Sequence, residues 1–317
     1  MATIKPVRGF NAKREIELFH SAVEGLNSDA HDDAVENLVT LAAKRSWDQR
    51  AEIWSGYKKT FGEDPKEALK AKLGGSRFCH ALLALFQPAP ERDAEWFHNA
   101  MAGLGTNEKL LCELAATRTS RQLKAISLAY EKLYGKELAG DIAGEVGGWV
   151  GKMLVKLVTV PRSDTVADED RASELAQKLY DAGKGKWGTD EGVFVDILTS
   201  ESKPTLKAVF TAYLSKFGED IIEVIDDEFN GKEEDALKYL VRAILSTPQV
   251  FADAINDAVA GIGTDEGALI RFICARADMD LEDVKVAFEE KYKKPLAERI
   301  AADEGGDLGK LLVAAIH

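Results

Sequence analysis

An internal repeat restricts the fold of this 317-residue chain more than any other feature. A glycine-threonine signature occurs three times, as Gly103-Leu104-Gly105-Thr106, Lys186-Trp187-Gly188-Thr189 and Gly261-Ile262-Gly263-Thr264. An acid stands 39 residues beyond each threonine: Glu145, Glu228 and Asp303. Twelve residues beyond the threonines lie Arg118, Glu201 and Arg276. A weaker copy precedes them, because Ala43-Lys44-Arg45-Ser46 parallels Ala116-Thr117-Arg118-Thr119, which puts Asp33 in the threonine's place. The spacings of 73, 83 and 75 residues define four stacked units, each burying its apolar face against a neighbour. The extra length before unit three falls in the polar connector Val160-Pro161-Arg162-Ser163-Asp164. This divides the chain into a short segment 1–12 and units 13–87, 88–160, 161–246 and 247–317.

Within a unit the apolar spacing is helical. Leu110, Leu111, Leu114 and Ala115, then Leu123, Ile126, Tyr130 and Leu133, recur at the helical period with polar residues between them. The chain therefore reads as all-α. Each loop threonine is the expected N-cap of the next helix, with acids in its first turn. Gly62, Gly135 and Gly218 close helices in three units, and Tyr292-Lys293-Lys294-Pro295 replaces that ending in the fourth.

A tight glycine loop turns backbone carbonyls toward one centre, and a carboxylate from a distant loop adds charge. That oxygen set suits Ca²⁺. With one acid per site, affinity for the free ion is expected to be weak, on the order of 10⁻⁴ M or worse. A phosphate oxygen in the vacant position would couple metal to an anionic surface, and several weak sites on one body gain by avidity. The net charge of −13 fits this, since it opposes nucleic acid and anionic lipid unless a cation stands between. No apolar run is long enough to span a bilayer, and the first residues lack the apolar core of a secretory signal. Cys79, Cys112 and Cys274 sit in apolar stretches and read as buried free thiols.

The three loops with their matched acids resemble the annexins, over essentially the whole chain from about residue 10 to 317. The resemblance implies four homologous five-helix repeats packed into one curved disc. It also implies Ca²⁺-dependent binding to anionic phospholipid through loops on the convex face. Carried over, the ligands are the carbonyls of Met101, Gly103 and Gly105 with Glu145, and of Val259, Gly261 and Gly263 with Asp303. The third loop looks like the family's longer variant, implying Gly183, Lys186, Gly188 and Glu228. Leu104, Trp187 and Ile262 occupy the loop tips and are expected to meet the membrane, where Trp is favoured.

Two departures stand out. Unit one reads Asn27-Ser28-Asp29-Ala30-His31-Asp32-Asp33 in place of the glycine loop, and Lys72 stands where the acid belongs, so its site is expected to be lost. The alternative is a different metal site made by Asp29, His31, Asp32 and Asp33. In unit three Glu201 replaces the arginine of the other units, which predicts a different internal brace. Trp47, Trp54, Trp96 and Trp149 read as core or repeat-packing residues. Phosphate-loop, EF-hand and histidine-metal spacings are absent, so catalysis is not expected. The expected behaviour is that of a cytoplasmic protein, peripheral on membranes when calcium is high, that organises or bridges them. Cytoskeletal partners and self-association on the membrane stay open, and a structural scaffold with calcium secondary is the competing reading.

Overall fold

The computed structural model describes residues 1–260 and 263–317. Among the described residues there are twenty helices and no strand. The first five are α1 (Ala12–Gly25), α2 (His31–Ala43), α3 (Trp47–Phe61), α4 (Pro65–Leu73) and α5 (Arg77–Phe86). The second unit holds α6 (Ala89–Met101), α7 (Glu108–Thr117), α8 (Ser120–Tyr134), α9 (Leu138–Glu145) and α10 (Gly148–Thr159). The third holds α11 (Glu169–Ala182), α12 (Glu191–Ser200), α13 (Lys203–Phe217), α14 (Ile221–Glu228) and α15 (Gly231–Leu245). The fourth holds α16 (Thr247–Val259), α17 (Glu266–Cys274), α18 (Leu281–Tyr292), α19 (Leu296–Asp303) and α20 (Gly306–Ile316).

These helices form two compact bodies, Met1–Arg92 with Pro248–His317, and Asp93–Thr247. In the first, α20 packs on α2, α5 and α17. The N-terminal segment is stitched along it: Thr3 N donates to Ala277 O at 2.9 Å and Thr3 Oγ1 to Ala315 O at 2.7 Å. In the second body α10 packs against α7, α12 and α15.

Helix ends follow local chemistry. Gly62, Gly135 and Gly218 close α3, α8 and α13 in the left-handed conformation, as expected, and Lys293 takes that strained role in the fourth unit with φ 59°. The expected threonine caps are corrected. The oxygens capping α7, α12 and α17 belong to the next residues, Asn107, Asp190 and Asp265. The threonine hydroxyls are used elsewhere.

A stacked ring pair repeats in the first three units. His20 stacks on Phe61, His98 on Tyr134 and Tyr180 on Phe217, with centroids 3.9, 3.9 and 4.1 Å apart. This pair corrects the register of unit one. His20 precedes Gly25 by five residues, as His98 precedes Gly103, so Gly25-Leu26-Asn27-Ser28 is the counterpart of Gly103-Leu104-Gly105-Thr106. Asn27 adopts φ 61° where Gly105 has 91°. Asp33 does not replace a threonine; it lies in the first turn of α2, beyond a five-residue insertion.

The unit-three brace is inverted. Arg45 pairs with Glu15 at 3.0 Å and Arg118 with Asp93 at 2.7 Å, whereas Glu201 accepts from Arg171 at 3.4 Å. Arg162, from the connector, adds hydrogen bonds to the carbonyls of Leu198 and Glu201. All three cysteines are buried free thiols. Trp54, Trp96 and Trp149 are half-buried, but Trp47, expected in the packing, is exposed.

Candidate calcium loops

The expected ligands lie at helix C-termini. Met101 ends α6, and Gly183 caps the end of α11, while Val259 ends α16. The distant acids Glu145, Glu228 and Asp303 are the last residues of α9, α14 and α19. Unpaired carbonyls and the negative end of the helix dipole gather there, which favours a cation.

Each loop is closed by a backbone hydrogen bond from the capping residue of the following helix. Asn107 N donates to Ala100 O at 2.7 Å, Asp265 N to Ala258 O at 2.9 Å and Asp190 N to Ala182 O at 2.7 Å. The first two span seven residues and the third spans eight, so the third loop is longer by one residue. Gly103 and Gly105 have φ 97° and 91°, a left-handed turn that a side chain would strain. Gly188 and Gly263 have the same hand; Gly261 and Ile262 lie outside the described residues.

The threonines join loop to acid. Thr106 Oγ1 donates to Glu145 Oε2 at 3.2 Å, and Thr189 Oγ1 to Glu228 Oε2 at 2.6 Å. A carboxylate held by one hydroxyl keeps lone pairs for a metal. At Gly183 the fit is tighter still: a Cβ there would come within 3.3 Å of the Glu228 carboxyl carbon. A larger residue there would push the acid a few tenths of an ångström from the loop. Lys184, next door, pairs with Asp227 at 2.6 Å and leaves Glu228 to the threonine. Lys186 and Gly188 are exposed on the same loop. Loop glycines, carbonyls at helix ends and an oriented carboxylate fit calcium in units two and three.

The other two units differ. In unit one Lys72 does reach the loop, but as a cation: its Nζ pairs with Glu24 Oε2 at 3.0 Å, and its carbonyl accepts from the Asn27 side chain. Asp29, His31, Asp32 and Asp33 do not converge, and His31 instead faces Asp307 at 3.4 Å. Among the described residues no cluster of three or more His, Cys, Asp or Glu side chains could hold a metal ion. Sites built mainly from carbonyls are not of that kind. In unit four Thr264 hydrogen-bonds Glu304 instead of the matched acid, and Asp303 is paired with Arg299. That arginine is a feature the loop-and-acid pattern missed; its signal was its place four residues before Asp303 on one helix face.

At the loop tips Leu104 and Trp187 are completely exposed, at 109% and 102%. Apolar side chains this exposed on a loop serve no packing within the chain.

Four units of five helices, in which a glycine-threonine loop and a distant acid recur three times in the sequence, define an all-helical repeat protein. The chain belongs to the annexin family: the annexin sequence profile matches residues 92–157, 174–240 and 250–315. Annexin A13 of Mus musculus is 37% identical over 311 residues, covering 98% of this chain and 96% of its own. The solved structure of annexin III superposes with TM-score 0.94 at 35% identity, covering 99% of this chain and 96% of that one. A calcium-bound annexin (Sm)1 structure superposes with TM-score 0.86 at 26% identity over 100% and 93% of the two chains. Annexins as a family bind phospholipid in a calcium-dependent way and associate with membranes peripherally. No described helix of this chain is long and apolar enough to cross a membrane.

Proposed function

We propose that this chain binds calcium through the loops of units two, three and four, and uses the bound ions to dock on anionic phospholipid. The observation that carries this reading is the pairing of each open loop with its acid, Thr106 to Glu145 and Thr189 to Glu228, beneath a fully exposed Leu104 or Trp187. The ligands would be the carbonyls of Met101, Gly103 and Gly105 with Glu145, those of Gly183, Lys186 and Gly188 with Glu228, and Val259, Gly261 and Gly263 with Asp303. A lipid phosphate would complete each oxygen shell, coupling metal and membrane. Leu104 and Trp187 would then enter the interface. The protein acts by binding, organising or bridging lipid surfaces, without catalysis.

Co-sedimentation with phosphatidylserine vesicles tests this. Glu145→Gln and Glu228→Gln should each raise the calcium needed for half-maximal binding by about tenfold, because the ligand charge falls. Lys72→Ala should leave it unchanged. No pelleting at millimolar calcium, or an equal loss in all three variants, refutes the assignment.

A further inference from the structure

In unit four one side chain already holds two of the oxygens that calcium would need. Arg299 Nη1 donates to Asp303 Oδ2, and Arg299 Nη2 donates to Val259 O at 2.6 Å. The carboxylate ends α19 and the carbonyl ends α16, so the guanidinium bridges the two helix termini that the metal would bridge. A planar fork of parallel N–H donors suits that task, and its charge answers the same negative helix ends.

We propose that Arg299 is an internal cation that occupies the calcium position of unit four and must swing aside before metal binds there. This rests on Asp303 and Val259 being calcium ligands, as proposed above. The site is thereby gated, and fills only at higher calcium than the sites of units two and three. The corresponding positions, four residues before the acid, are Asp141 and Val224. In unit two Asp141 accepts from Tyr130 Oη at 2.7 Å, and in unit three Val224 is fully buried. Neither can supply a cation. The Arg299 side chain is 26% exposed, so solvent lies open to the released guanidinium. Lys72 paired with Glu24 in unit one is the permanent form of the same substitution, in which the acid itself has been replaced.

The test uses the full chain carrying Glu145→Gln and Glu228→Gln, which weaken the sites of units two and three. The change in calcium binding on altering Arg299 or Asp303, measured by equilibrium dialysis against this background, then reports unit four. Arg299→Met on that background keeps an unbranched apolar stem and removes the charge. It should bind calcium about two- to fivefold more tightly than the background, the size of one displaced, partly exposed ion pair. Adding Asp303→Asn should abolish the gain. If Arg299→Met binds calcium no better while Asp303→Asn weakens binding, the acid is a ligand and the arginine does not gate it. If Asp303→Asn on the background changes nothing, unit four is not a calcium site, and both the ligand assignment and the gate fall.

Discussion

Trp187 offers the sharpest measurement of how the loops grip a membrane. Its side chain is completely exposed, so its whole surface is available for transfer and none of it supports the fold. A tryptophan can bury roughly 150–250 Å², and half of that entering the interface is about 100 Å². At about 25 cal/mol per Å² this is worth about 2.5 kcal/mol, or roughly seventyfold in lipid affinity. Trp187→Ser should therefore weaken vesicle binding at fixed calcium by about that factor, read by titrating phosphatidylserine vesicles. Its melting temperature should stay within a degree of the parent's. In the parent, calcium with vesicles should shift tryptophan emission to the blue, calcium alone should not, and the variant should lose the shift. Vesicle binding by Trp187→Ser within twofold of the parent, with the emission change persisting, refutes a membrane role for this side chain.

Two further outcomes concern the scaffold. Arg118 meets Asp93 at 2.7 Å with side chains 2% and 5% exposed, so Arg118→Met removes the cation facing a buried carboxylate and should destabilise by about 3–5 kcal/mol in urea unfolding. Arg45→Met, whose pair with Glu15 is nearer solvent, should lose less. Burial pushes the thiols of Cys112 and Cys274 from 9.0 up to about 12. An acid whose folded value is raised stabilises the fold below its unfolded value and loses that contribution as pH rises toward the folded value. Stability should thus fall by about 2 kcal/mol between pH 8.5 and 10, and Cys112→Val with Cys274→Val should flatten that slope.

The four-unit array, the helical class and the loop-to-acid pairing of units two and three are legible because glycine, threonine and acid recur at fixed offsets; in unit four the same offsets point to Asp303, which Arg299 holds instead. The register of unit one was not. Asn27 takes the left-handed turn where the other units use glycine, and the insertion before α2 moved the only anchor, Arg45, five residues further along. Propensity alone makes the threonines caps, since nothing local reveals that the hydroxyls of Thr106 and Thr189 are claimed by acids 39 residues away. The inverted brace of unit three was legible at Glu201 but not at Arg171, because ion-pair partners are chosen by packing. Arg299 was visible beside Asp303 in the helical repeat, whereas its reach to Val259 exists only once α16 and α19 are brought together.

The placement of the internal cations has a consequence for how calcium acts on folding. Lys72 and Arg299 both belong to the body made of Met1–Arg92 and Pro248–His317, while the two open loops belong to Asp93–Thr247. A ligand that binds only the folded state stabilises the region that holds it, by mass action. With calcium bound as proposed, it would be a folding ligand chiefly for Asp93–Thr247, whose loop amides should gain protection from exchange as the ion concentration rises. The other body carries its counterions, Lys72 and Arg299, within its own chain, and gains less from calcium until the Arg299 site fills.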